Sequence, residues 1–221
     1  MPRTARASAG NYCYHVLNRG NGRATVFHDD ADYESFIELI GEASDRLPMR
    51  VLAFCLMPDH FHLVVRPNDD GDLSRWMQWV LTAHVRRYHR RYQTSGHVWQ
   101  GRFKAFPIEP GEPLRTVLRY VERNPVRSRL TKRAERWPWS SLKWWADPRP
   151  LPYLDVRSVR RGEDWVDAVN RPMPEADEER IKNAMARGAP FGSERWVRRT
   201  ADDLGLGSSL NPRGRPRKVV E

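Results

Sequence analysis

Residues 50–66 read RVLAFCLMPDHFHLVVR, two apolar runs on either side of Met57-Pro58-Asp59. The runs Arg50–Leu56 and His60–Arg66 are rich in branched and aromatic residues, and the proline-bearing break between them is a short turn, so the stretch predicts a β-hairpin. Working upstream, Tyr33, Phe36, Ile37 and Ile40 recur at helical spacing. Asp30 caps this pattern, which ends before Pro48. Before it, Tyr12–Asn18 reads as a strand closed by the turn-forming Arg19-Gly20-Asn21-Gly22. Downstream, Asp72 opens a second helix with the apolar stripe Leu73, Trp76, Met77, Val80 and Leu81; Gly96 breaks the pattern and Arg102–Ile108 supplies a fourth strand. The order β-α-β-β-α-β predicts an α+β, ferredoxin-like fold: an antiparallel sheet with helices on one face. A third helix starts at Pro113, a residue suited to a first helical turn, and is expected to end at Pro125.

Beyond this unit the chain changes character. Trp137-Pro138-Trp139 to Trp145 is aromatic-rich, and prolines and short polar segments follow. From Glu175 two helices are expected, separated near Pro190-Phe191-Gly192. The expected organisation is a catalytic-type domain over 1–146, a helical region over 147–210 and a basic, flexible tail over 211–221. The 221 residues carry 33 Arg, 5 Lys and a formal net charge of +10, which points to a polyanionic partner, nucleic acid above all. Arginine is the better bidentate ligand for phosphate. Cys13 and Cys55 lie in apolar stretches and read as buried, reduced thiols. The first eleven residues lack the apolar core of an export signal, and the longest apolar run, Val51–Met57, is too short to span a bilayer. A soluble cytoplasmic protein associated with the nucleoid, with no membrane partner, is therefore expected.

Alternation along the second hairpin strand separates Phe61, Leu63 and Val65, facing the helix-covered core, from His60, His62 and Val64 on the opposite, open face. Two imidazoles two residues apart can converge on one divalent ion. An isolated His-x-His is more often a pair of surface or hydrogen-bonded histidines. His15, by the same alternation on the neighbouring strand, reaches that side as well, where a packing or DNA-contact role suits it at least as well as a catalytic one. On the third helix Val117, Leu118 and Val121 cluster around one apolar direction. Tyr120 and Asn124, at i and i+4, share its flank. Such a pair suits a nucleophile beside a metal ligand, although a lone tyrosine at such a position is more often a boundary aromatic with its hydroxyl in water. Arg86, Arg87, Arg90 and Arg91, interleaved with Tyr88 and Tyr92, form a basic patch suited to phosphate contacts and base stacking, or else a solvated helix face. Arg19 and Arg23, in a glycine-bearing loop, are further candidates for DNA contact. In the tail, Pro212-Arg213-Gly214-Arg215-Pro216 resembles an AT-hook core, which would lay Arg213 and Arg215 in the minor groove of an A·T-rich duplex. The competing reading is a tail that docks on its own domain.

MPDHFHLVV, Met57–Val65, resembles the His-hydrophobic-His motif of the single-tyrosine HUH transposases, and YVERNPVR, Tyr120–Arg127, resembles the tyrosine helix of their REP-associated branch. Tyr14-His15-Val16 with Asn18-Arg19-Gly20, Trp99-Gln100-Gly101-Arg102-Phe103 and Trp137-Pro138-Trp139-Ser140-Ser141 fit the same branch in the same order, over about residues 12–145. The resemblance implies that Tyr120 attacks a phosphate of single-stranded DNA, leaving a 5′-phosphotyrosine link and a free 3′-hydroxyl. It also implies that Asn124 joins His60 and His62 around Mg²⁺ or Mn²⁺, and that the substrate is a REP-type palindromic hairpin. Ser128 and Arg129 depart from the smaller residues usual there, which puts the helix exit in question and leaves the chemistry untouched. The principal alternative is a catalytically silent hairpin-DNA- or RNA-binding protein. Either a monomer or a dimer is compatible with the sequence.

Overall fold

The computed structural model describes residues 8–145, 151–155 and 157–211. Strand β1 (Cys13–Arg19), helix α1 (Asp30–Arg46), strands β2 (Met49–Met57) and β3 (His60–Pro67), helix α2 (Asp72–Tyr92) and strand β4 (Lys104–Ile108) follow one another as the sequence predicts. The strands form one antiparallel sheet in the order β2-β3-β1-β4. The residue that caps α1 is Asp29, not Asp30: its carboxylate accepts from the Asp32 backbone N–H. The turn at Pro58 is tied to the end of β1, where the Gly20 N–H donates to the Asp59 carbonyl at 2.7 Å. A Cβ on Gly20 would fall 2.2 Å from the Ala24 carbonyl oxygen, so only glycine allows the chain to fold back so tightly beside Arg19.

One sheet face buries Tyr14, Val16, Phe54, Leu56, Phe61, Leu63 and Val65 against Phe36 and Ile40 of α1 and Trp76, Met77 and Val80 of α2. The other face is not open, contrary to the expectation from alternation. Helix α3 (Glu112–Arg127) lays its stripe of Leu114, Val117, Leu118 and Val121 over Cys55, Val64, Phe106 and Ile108. The reason is reciprocal. An amphipathic helix needs a partner for its apolar side, and this sheet face carries too many apolar residues to remain in water.

Pro125 lies inside α3 rather than ending it, and the helix runs on to Arg127. A mid-helix proline leaves the carbonyl four residues earlier without its donor. Here the Asn124 side-chain amide supplies one, 3.4 Å from the Val121 carbonyl and 2.9 Å from that of Tyr120.

After α4 (Leu142–Trp145), the later region folds onto the same face. Helix α5 (Trp165–Asn170) was not expected; α6 (Glu175–Arg187) and α7 (Glu194–Asp203) were, with their break at Pro190-Phe191-Gly192. Trp165, Val169, Ile181, Ala184 and Phe191 complete the second apolar cluster. Phe191 also exchanges backbone hydrogen bonds with Pro107 and Glu109, covering part of the edge strand. Cys13 and Cys55 are buried and free. Among the described residues no helix is long and apolar enough to cross a membrane.

Candidate active site

The register of β1 on β3 places Arg19 opposite His60, Leu17 opposite His62 and His15 opposite Val64. On β4, Lys104 pairs with Leu17 and Phe106 with His15. Since directly paired residues point to the same side of a sheet, one face carries His15, Arg19, His60, His62 and Lys104 together. The rings of His60 and His62 are 5.0 Å apart, centroid to centroid. From α3, the ring of Tyr120 stands 6.0 Å from that of His62, edge to face. Residues 58 positions apart in the chain therefore meet because α3 covers this face.

Each histidine is held through Nδ1. His60 Nδ1 lies 2.5 Å from the Asp59 carboxylate, and His62 Nδ1 lies 2.9 Å from His15 Nε2. His62 is only 2% exposed and its Nε2 is buried without a partner. Burial, above all, depresses the ionisation of these rings. His15 is pushed down to about 3 by burial alone. His62 falls well below the usual histidine value, with the neighbouring His60, His15, Arg127 and Arg19 adding to the burial. His60 falls too, against the opposing pull of Asp59. The imidazoles are thus neutral, the form that ligates metals.

Two neutral imidazoles, one with an orphaned buried nitrogen, fit a divalent ion; a buried polar atom without a partner is costly. Among the described residues no group of three His, Cys, Asp or Glu side chains is placed to hold a metal. An ion here would therefore draw its remaining ligands from an amide, water or a phosphate.

Tyr120 is 3% exposed. Burial raises its ionisation above the usual tyrosine value; Arg127 and Arg19 pull it back, and Glu178 of α6 raises it further. The Arg127 guanidinium lies 4.9 Å from the Tyr120 ring centroid. Its Nη2 donates to Asn124 Oδ1 at 2.7 Å. Asn124, fully buried, thus has its oxygen on Arg127 and its nitrogen on the carbonyls of its own helix.

Arg19 sits above this face with its Nε 3.6 Å from Asp59. It also lines a cleft of about 210 Å³ with Asn18, Gln100, Arg102, Lys104 and Lys182. Sequence reasoning missed the last three cations. The alternation of β4, which puts Lys104 on the histidine side, was the one available signal; nothing local marks Lys182. Arg23 is exposed on the short 3₁₀ turn Asn21–Arg23.

The basic patch on α2 divides. Arg87 pairs with Glu38 and Glu42, and Arg91 with Asp29 and Asp32, so these two hold α2 to α1 instead of standing free. Tyr92 donates to Asp32 and Tyr88 contacts His28, which likewise engages the interleaved tyrosines. Arg86 and Arg90 are exposed and make no ion pair among the described residues. Arg213 and Arg215 lie outside the described residues.

Against known proteins, the sequence profile of the family described as "Transposase IS200 like" matches residues 8–124. A protein of Haemophilus influenzae, whose name places it among REP-associated tyrosine transposases, is 26% identical over 135 residues, 56% of this chain and 70% of its own length. A solved structure described as the REP-associated tyrosine transposase bound to a REP hairpin superposes with a TM-score of 0.56 at 20% identity. The match covers 79% of this chain and all of that one. At that identity the superposition speaks for the fold.

Proposed function

Because the chain belongs to the IS200-like transposase family, we propose that it cleaves and rejoins single-stranded DNA through Tyr120, acting on a REP-type hairpin. The observation that carries this reading is the approach of the Tyr120 ring to within 6.0 Å of His62. In the reaction the Tyr120 phenolate oxygen forms a bond to phosphorus as the phosphorus–O3′ bond breaks. A 5′-phosphotyrosine and a 3′-hydroxyl result, the leaving oxygen taking its proton from water. The phosphodiester energy is kept in the tyrosyl link, so rejoining by a 3′-hydroxyl needs no nucleotide cofactor; the release and return of the strand are then the same displacement in opposite directions.

The phenol must first lose its proton, to solvent water, which burial opposes. Arg127 beside the ring and Arg19 across the sheet favour the phenolate, and both lie where phosphate charge would gather. His60 and His62 would hold a divalent cation through Nε2, the ring nitrogen that their Nδ1 contacts leave over. Mg²⁺ or Mn²⁺ would supply positive charge to the non-bridging phosphate oxygens there. Asn124 is the further ligand that the family resemblance implies. The cleft bounded by Arg19, Arg102, Lys104 and Lys182 offers the strand a cationic path away from the tyrosine.

The decisive experiment incubates the protein with labelled single-stranded hairpins and Mn²⁺ and looks for a denaturant-resistant adduct. Wild-type protein should form it, Tyr120→Phe should abolish it and His60→Ala should greatly reduce it. A second reading, binding without cutting, draws on the near-complete burial of Tyr120. Retained hairpin affinity with no adduct under any divalent ion would favour that reading and refute the first.

A further inference from the structure

His15 has no part in the reading above, yet it is the closest polar neighbour of the proposed ligand His62. The two rings meet at 2.9 Å, Nε2 of His15 to Nδ1 of His62, and are stacked obliquely with centroids 5.1 Å apart. His15 is fully buried and packs on Phe106 with ring centroids 4.9 Å apart. It cannot turn away without leaving a void.

A single hydrogen lies between the two nitrogens, and two arrangements are open to a neutral pair. If His15 donates, His62 must carry its own proton on Nε2, and that nitrogen cannot bind a cation. If His62 donates from Nδ1, its Nε2 keeps a free lone pair. That Nε2 is buried with no hydrogen-bond partner among the described residues, and so is Nδ1 of His15, which carries the His15 hydrogen in this second arrangement. Only the second arrangement lets a cation satisfy the His62 Nε2.

We propose that His15 is a positioning residue: it accepts the Nδ1–H of His62, fixes that ring's tautomer and angle, and so presents Nε2 to the divalent ion. The inference rests on the proposed metal reading of His60 and His62. His15 then does for His62 what the Asp59 carboxylate does for His60. Outer hydrogen-bond partners of ligating histidines commonly set metal affinity in this way. The assignment also excludes His15 as a ligand to the same ion, since its Nε2 is turned to His62 and its Nδ1 is buried in the sheet face.

The test measures Mn²⁺ binding by electron paramagnetic resonance for the wild type, His15→Leu and His15→Gln, with folding checked by thermal melting. His15→Leu removes the acceptor and should weaken Mn²⁺ binding by about 10–100-fold. His15→Gln offers a carbonyl acceptor and should recover most of the affinity. Nitrogen-15 spectra of the Mg²⁺-loaded wild type should show the hydrogen of His62 on Nδ1, a measurement that needs no variant to fold. A wild type that binds Mn²⁺ while His15→Leu binds it equally well overturns the inference and leaves the metal reading standing. A His62 hydrogen on Nε2 in the Mg²⁺-loaded protein overturns it too. A wild type that takes up no Mn²⁺ overturns both.

Discussion

Replacing Arg161 by methionine should weaken the anchoring of the tyrosine helix to the sheet. Glu122, two residues beyond Tyr120, is fully buried, and Arg161 beside it is 1% exposed. The carboxylate accepts from Ser141 Oγ at 2.8 Å and from Trp165 Nε1 at 2.7 Å, with Arg161 Nη1 at 3.3 Å. That last contact is an ion pair without hydrogen-bond geometry. Arg161 Nη2 donates to the Leu52 carbonyl of β2, and the guanidinium lies against the rings of Trp145 and Trp165. The cluster thus clamps α3 to β2 through three later segments of chain.

At an effective dielectric near 20, unit charges at this separation attract by about 5 kcal/mol. Desolvation takes back much of it, and breaking one side of a buried pair costs on the order of 3–5 kcal/mol because the other charge is stranded. Two donors remain on Glu122, so the lower end applies to Arg161→Met. A loss of about 3 kcal/mol lowers the melting temperature by roughly 6–12 °C for a chain of this size. The paired variant Glu122→Met with Arg161→Met should be more stable than either single one, because no lone charge is left. Chemical denaturation of the four proteins gives the coupling energy. Single variants that each lose less than about 1 kcal/mol, with no coupling, would refute the clamp.

Acid should weaken the fold through its buried histidines. Burial holds His15 down at about 3 and His84 at about 4, so both stay neutral in the native state while an unfolded histidine takes a proton near 6.5. Stability is therefore complete above the unfolded value and is lost as pH falls toward the native ones. By about pH 5 each ring should have removed about 2 kcal/mol. Urea unfolding at about pH 7.5 and about pH 5 checks this, and an unchanged midpoint would contradict it. In the cleft, Lys182→Ala should weaken binding of a single strand and reduce the slope of log affinity against log salt by about 0.7, the signature of one lost phosphate contact. The Lys182–Glu178 pair at 3.3 Å is no obstacle: Lys182 is half exposed, and a phosphate can compete with the partly buried carboxylate for its ammonium. Titration of a fluorescent oligonucleotide over a salt series, with affinity and slope both unmoved, would remove Lys182 from the path.

The strands and the first two helices were legible because their periods are local. Alternation along His60–Val65 separated the two faces correctly, and the stripe of α2 pointed inward as read. What periodicity does not state is whether a second layer exists. The apolar side of α3 was visible in Leu114, Val117, Leu118 and Val121, but its partner surface is built from three strands and appears only when they are assembled. The same limit hid the ion pairs of Arg87 and Arg91, whose carboxylates lie on α1 some fifty residues earlier. Helix α5, at six residues, is too short to carry a period of its own. Glu122 and Arg161 are 39 residues apart, and nothing near either one announces the other.

Asn124 shows how one residue type can satisfy two readings that compete. Its amide nitrogen supplies a donor that Pro125 withholds from the Val121 carbonyl, which is why the helix continues to Arg127. Reaching Arg127 matters, because that guanidinium then lies against the tyrosine ring and donates to Asn124 Oδ1. The Asn-Pro sequence therefore has a structural explanation that involves no metal. The ligand role implied by family resemblance calls on the same oxygen. A cation at Oδ1 and the Arg127 Nη2–H are both positive partners for one acceptor, and an amide oxygen has only two lone pairs to share. A cation at that oxygen would repel the Arg127 guanidinium that now donates to it. A guanidinium displaced in this way would have a substrate phosphate to hold. On that argument Asn124 and Arg127 act as a pair, and replacing either one changes the setting of the other.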